Sequence, residues 1–171
     1  QIGYMILGIS LASVTGLTAG ILHLFNHAMI KGALFMAMGC VMYRVGSVEI
    51  EAMRGLGKKM PWTMAAFAIA SLSIVGIPLT SGFVSKWYLA LGTLESQNLT
   101  LLGVILFSSL LSAAYLGPIV YKAYFEEEPP THAEVREVPW MVAPLAITAA
   151  ASLLLGLYPG PVLELAGRTL P

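Results

Sequence analysis

The sequence contains no aspartate, and its nine acids, all glutamate, are balanced by nine Lys and Arg in 171 residues. Charged residues make up 11% of the chain, where a soluble domain carries about 25%. So few charges cannot cover a globule in water, which excludes a soluble enzyme. A net charge of zero leaves no basic surface for nucleic acid or anionic lipid. The single cysteine, Cys40, cannot form an internal disulfide, which excludes a disulfide scaffold. Glycine-rich phosphate loops, paired cysteines and metal-ligand clusters are also missing, so no cofactor and no metal are expected. No glutamate falls inside an apolar stretch. The chain therefore offers no buried carboxylate as a hard ligand for Na⁺.

What is present is apolar: 57% of residues are hydrophobic, with a mean hydropathy of +0.81. Residues 1–28, 61–85 and 140–163 are uncharged. Runs of this length read as transmembrane helices, and the fold class expected is an all-α, polytopic bundle. Residues 1–13 are too short to cross roughly 30 Å of hydrocarbon at 1.5 Å per residue. They carry no basic start or small-residue cleavage site, so they read as the later part of a helix rather than a signal peptide. Four further stretches follow, at about 18–43, 61–94, 99–121 and 140–158. About five transmembrane segments result.

The 34 residues of 61–94 are too many for one straight span, and Gly76, Pro78 and Gly82 lie near their middle. Division at Pro78 would leave about fourteen residues for the second helix, short of the roughly 20 that a span needs. Charge placement decides the question. Arg44, Arg54, Lys58 and Lys59 share one loop, and Lys122 and Arg136 another. The short connections near 14–17 and 95–98 have no Lys or Arg. A single crossing puts both basic loops on one side, as the positive-inside rule requires. The stretch is therefore expected to be one discontinuous helix, broken at Gly76, Pro78 and Gly82. Discontinuous helices of this kind mark ion sites in transporters.

His23, His27 and Lys31 follow at i, i+4 and i+8, which stack on one helix face. A charged group at the bilayer centre costs at least ~2.5–3.5 kcal/mol on insertion scales, so three in register call for a function. Imidazole can take a proton on one nitrogen and release it from the other, so the stripe reads as a proton relay. His27 alone is within reach of both its neighbours and is expected to link them. Lys86, just beyond the break, is expected to face a hydrated pocket. The bland alternatives are histidines that merely hydrogen-bond to neighbouring helices and a lysine that snorkels beside Trp87 and Tyr88.

Other features carry less. Glu126, Glu127 and Glu128 with Pro129 and Pro130 read as a solvated loop, and His132 beside them as exposed. Trp62, Trp140 and Tyr158 sit at span ends, where interfacial anchors belong. Gly32 and Gly39 are placed for close helix packing.

The run from His23 to Phe35 resembles the His-x-x-x-His-Ala-x-x-Lys-x-x-Leu-Phe helix of the antiporter-like subunits. These occur in respiratory complex I, membrane-bound hydrogenases and Mrp-type Na⁺/H⁺ antiporters. Gly55 to Pro61, Gly76-Ile77-Pro78, and Gly82 to Lys86 are similar to the same family's broken helix with its pathway lysine. The wording of residues 55–91 is most similar to the D component of the Mrp-type antiporters. The resemblance implies that residues 1–125 are the C-terminal part of the proton-translocating domain, truncated at its start. Residues 126–171 add an acidic loop and one further helix. It places His23, His27 and Lys31 on a central hydrophilic axis and Lys86 at an exit half-channel.

The implied function is a membrane subunit conducting protons in a multisubunit Na⁺ or K⁺/proton antiporter. The alternative is a proton-pumping subunit of a redox-driven complex, either NADH:quinone oxidoreductase or a membrane-bound hydrogenase. A third class is an inactive scaffold carrying relics of a pathway. No active-site chemistry of its own is expected under any of these. The implied partners are other membrane subunits, the lipid bilayer, protons and Na⁺ or K⁺, with no nucleic acid. The implied location is the cell inner membrane, with loops 44–60 and 122–139 cytoplasmic.

Overall fold

The computed structural model describes residues 1–132 and 134–169. Its elements in chain order are α1 (Ile2–Ser10), α2 (Val14–Val45), α3 (Leu56–Lys59), α4 (Pro61–Val75), α5 (Ser81–Glu95), α6 (Leu99–Phe125), α7 (Pro139–Leu157) and α8 (Gly160–Thr169). Short 3₁₀ turns lie at Ile50–Met53 and Pro130–His132. There is no strand among the described residues. The protein is a helical membrane bundle. Three helices, α2, α6 and α7, are each long and apolar enough to cross a bilayer.

α2 is the axis of the bundle, and α1, α4, α5, α7 and α8 all pack on it. Ser13 caps its start by accepting a hydrogen bond from Gly16 N at 3.0 Å, and Gly46, at a φ of +78°, closes its end. α1 folds back antiparallel to α2, so that Tyr4 and Gln1 meet His23.

α4 and α5 run end to end beside α2. α4 starts beside the loop that follows α2, with Pro61 in its first turn, where a missing N–H costs nothing. It stops at Val75, because Gly76 takes a φ of +89° and Pro78 follows two residues later. α5 restarts at Ser81 and ends where the Thr15 hydroxyl donates to Glu95 at 2.8 Å. The pair thus runs from one end of α2 to the other, against its direction. Gly82, expected within the break, lies instead in the first turn of α5. A Cβ there would run into the carbonyl of Ser73. Only glycine lets the two half-helices approach this closely.

At the end where α4 begins, the two polar loops grip one another. Arg54 pairs with Glu126 at 2.9 Å, Lys59 with Glu128 at 3.3 Å, and Lys122 with Glu51. Gly55 N donates to Lys122 O at 3.1 Å and Thr63 N to Glu137 Oε1 at 2.6 Å. One expectation is overturned here. His132 is not exposed but buried, with 3% of its surface accessible, in a 3₁₀ turn whose backbone bonds to Pro129 and Val135 fold the loop back on itself. Gly39 likewise makes no close packing contact, whereas a Cβ on Gly32 would meet Thr148 at 3.6 Å. Trp62, Trp140 and Tyr158 are exposed at helix ends.

Candidate functional site

Breaking a helix at membrane depth strips its last carbonyls of their partners, and these must be satisfied within the protein. In this molecule Lys86 does much of that. Its Nζ donates to Ile74 O at 2.8 Å, Val75 O at 3.1 Å and the Ser109 hydroxyl of α6 at 2.9 Å. Thr80 supplies the Ile77 carbonyl at 2.6 Å, and Gly76 N returns to Leu72 O and Ser73 O. Lys86 reaches back from the first turns of α5, over the glycine that ends α4. A Cβ on Gly76 would stand 3.0 Å from its Cδ. The placement is favourable, since a helix C-terminus carries partial negative charge. The Lys86 side chain is buried, and all three of its hydrogen-bond acceptors are neutral dipoles.

Tyr4 connects this lysine to α2. Its ring lies 5.1 Å from Lys86 Nζ on one side and meets the His23 ring edge-on at 5.3 Å on the other. Its hydroxyl donates to Ile105 O at 3.3 Å. His23 is buried, with Nδ1 2.9 Å from Ser85 Oγ and Nε2 3.1 Å from Gln1 Oε1. The Ser85 hydroxyl donates to Gly82 O at 3.1 Å. At both ring nitrogens of His23 the donor and acceptor roles follow the tautomer of the imidazole.

The His27 ring stacks on His23 with centroids 6.0 Å apart. Lys31, one turn on, is half-buried, with its Nζ 6.0 Å from the Phe35 ring. The structure therefore brings His27, His23, Ser85, Tyr4 and Lys86 into one contiguous group. Lys31 stands at its edge. His23 is the member with contacts on both sides.

Several members escaped the sequence reading. Ser85, Ser109 and Tyr4 are single polar or aromatic residues in apolar runs, without spacing to mark them. A second polar cluster lies beside the break, where Ser73 of α4, Ser81 of α5 and Ser152 of α7 place their hydroxyls 2.9–3.3 Å apart. Asn26 of α2 donates to Ser81 O at 2.7 Å. Hydroxyls from three helices meeting in one place tie α7 to both half-helices. The one available signal was the excess of serine over the length of the broken stretch.

The sequence model of the NADH:quinone oxidoreductase/Mrp antiporter transmembrane family matches residues 1–112. The chain is 37% identical over 172 residues to NADH-quinone oxidoreductase subunit N of Desulforudis audaxviator. That match takes in 92% of this chain and 34% of the relative. Among solved structures it resembles the Mrp complex of Dietzia sp. DQ12-45-1b, with a TM-score of 0.86 and 28% identity, over 96% of this chain and 39% of the other. It also resembles respiratory complex I of Thermus thermophilus with bound NADH, with a TM-score of 0.79 and 28% identity, over 99% and 37%. The chain thus spans about a third of the length of the relatives it matches.

Proposed function

Because the chain belongs to the NADH:quinone oxidoreductase/Mrp antiporter transmembrane family, we propose that it conducts protons through His23, His27, Lys31 and Lys86 in a larger membrane assembly. The observation that carries this reading is the Lys86 group. An amine at membrane depth, held by neutral acceptors at a helix break and joined through Tyr4 and Ser85 to His23, is an unpaired cation in the hydrocarbon zone. Such groups line ion and proton routes. Residues 1–125 are the translocating part on this reading, and residues 126–171 add the acidic loop and α7 that brace it.

The assembly is a multisubunit Na⁺ or K⁺/proton antiporter, a reading supported by the likeness to the Mrp complex. A redox-driven complex is the second reading, favoured by the 37% identity to a quinone oxidoreductase subunit. On this reading the bilayer is the inner membrane, and the clustering of Lys and Arg supports placing both basic loops on its cytoplasmic side.

The test uses the full-length parent protein, purified with its partner subunits and reconstituted in vesicles. Lys86→Met is expected to abolish most proton movement while the protein still inserts. Lys86→Arg is expected to fail as well, since guanidinium keeps its charge. Native rates in Lys86→Met vesicles, at matched protein, would reject the assignment. Proton movement driven by an imposed Na⁺ or K⁺ gradient alone supports the antiporter; movement only with a reductant and quinone supports the second reading.

A further inference from the structure

A cleft of about 380 Å³ separates α5 from α6, with Phe83, Trp87, Leu102 and Ile105 in its walls and Lys86 and Ser109 at its floor. A second cleft, of about 300 Å³, separates α4 from α6, and Val75 lines both. On α6 the first is lined by Leu102, Ile105 and Ser109, and the second by Ala113, Leu116 and Val120. Steps of three or four residues place all six on one stripe of the helix. From Leu102 to Val120 the stripe runs about 27 Å at 1.5 Å per residue, nearly the thickness of the hydrocarbon. The groove is open sideways, since Trp87 and Leu106 at the first cleft are more than half exposed. Its walls are apolar apart from Lys86 and Ser109 in the first cleft and Ser71 and Tyr121 in the second.

We propose that this groove binds a single-chain amphiphile with a carboxylate head, a long-chain fatty acid, entering from the bilayer with its head on Lys86 and its tail along α6. The argument is one of charge and depth. Lys86 donates only to neutral acceptors, and none of the four described ion pairs involves it. Every described glutamate lies in a connection between the long helices, at the last residue of α5 or in α8, so none stands beside Lys86. A phospholipid phosphate cannot reach it without carrying a fixed charge into hydrocarbon. A carboxylic acid can cross apolar material in its neutral form, return its proton to water, and remain as the ion opposite the ammonium. The carboxylate then competes with the Ile74 and Val75 carbonyls for Nζ, which links occupancy to the end of α4. The site stands whether or not Lys86 carries protons.

The experiment uses the full-length parent protein in lipid nanodiscs and palmitic acid carrying a diazirine in its chain, with the corresponding methyl ester as control. After illumination, labelled peptides are read by mass spectrometry. Labelling is expected along the groove, at 83–94, 102–109 and 113–120, with the acid exceeding the ester by about tenfold, a difference of ~1.4 kcal/mol. Unlabelled palmitate should compete. Ala90→Phe fills the first cleft and should remove the labelling; Lys86→Gln should bring acid and ester to the same level. Ala90→Phe keeps the test decisive if Lys86→Gln fails to fold. Equal labelling by acid and ester in the native protein would overturn the proposal. Labelling that survives Ala90→Phe, or that spreads evenly to outward positions such as Ile147 and Leu154, would do so too.

Discussion

At Gly76 the backbone turns with a φ of +89° directly under the Lys86 stem, so one residue both ends α4 and makes room for the lysine. Alanine would be strained on both counts. We expect Gly76→Ala to destabilise the full-length protein by about 1–2 kcal/mol, the cost of a left-handed conformation for a residue with a Cβ. Thermal unfolding in detergent would measure it, and an unchanged midpoint would mean that the turn can relax.

The histidines make a second test at this scale. His23 touches Ser85, Tyr4 and His27, whereas among the described contacts His27 is joined towards Lys86 by its stacking on His23. If protons pass along this group, His23→Ala should reduce vesicle acidification at least as far as His27→Ala. Glutamine should rescue neither, since an amide can hydrogen-bond but cannot carry a proton at neutral pH. A fully active glutamine variant at both positions would show that the rings serve only as hydrogen-bonding struts.

α4 and α5, at 15 residues each, are too short to cross a bilayer singly, since about 20 are needed. Joined end to end along α2 they cross once. The hydrogen bonds that would have continued the helix are replaced by Lys86, Thr80 and the serine cluster, so the interruption is held by its neighbours α2, α6 and α7. The expected topology follows. Cysteines placed at the exposed positions Val48 and Glu127 should react with an impermeant thiol reagent from the same face of the membrane. A cysteine at Gln97 should react from the other face. Labelling of 48 and 127 from opposite faces would mean that the two half-helices form a re-entrant hairpin.

Across the whole molecule, the loop clasp fixes the end of the bundle where α4 begins. Exposed ion pairs are individually weak, so the clasp works as a network of three pairs, one backbone–backbone bond and one bond from a backbone N–H to a carboxylate. Within it, the hydrogen bond from Lys122, reinforced by its charge, holds the Glu51 carboxyl below the ordinary glutamate range. A depressed carboxyl stabilises the clasp above its unperturbed pKa, and the contribution is lost as the pH falls through the lowered value. Glu51 should therefore keep its hold on Lys122 to a pH below the ordinary glutamate range. Spin labels at Val48 and Glu127 should separate at higher pH in Glu51→Gln than in the native protein. Identical pH profiles would show that Glu51 does not help to hold the loops.

The helical membrane class was legible in the sequence because hydrophobicity over twenty residues is a local property that no packing can reverse. The helix that stops at Gly76 was legible for a similar reason, since glycine and proline act on the backbone they belong to. The His23, His27 and Lys31 stripe follows from helical period alone. Gln1, Tyr4, Ser85 and Ser109 were silent, because each acquires its partner from another helix, and single polar side chains carry no period. His132 looked exposed because its neighbours are acidic and proline-rich, yet the fold buries it. The sequence by itself determined which segments are helical and apolar and where the long one breaks. Only the tertiary structure decided which carbonyls Lys86 would meet and which histidine would face it, because hydrogen-bond partners across helices depend on rotation and depth, which are set by packing against α2.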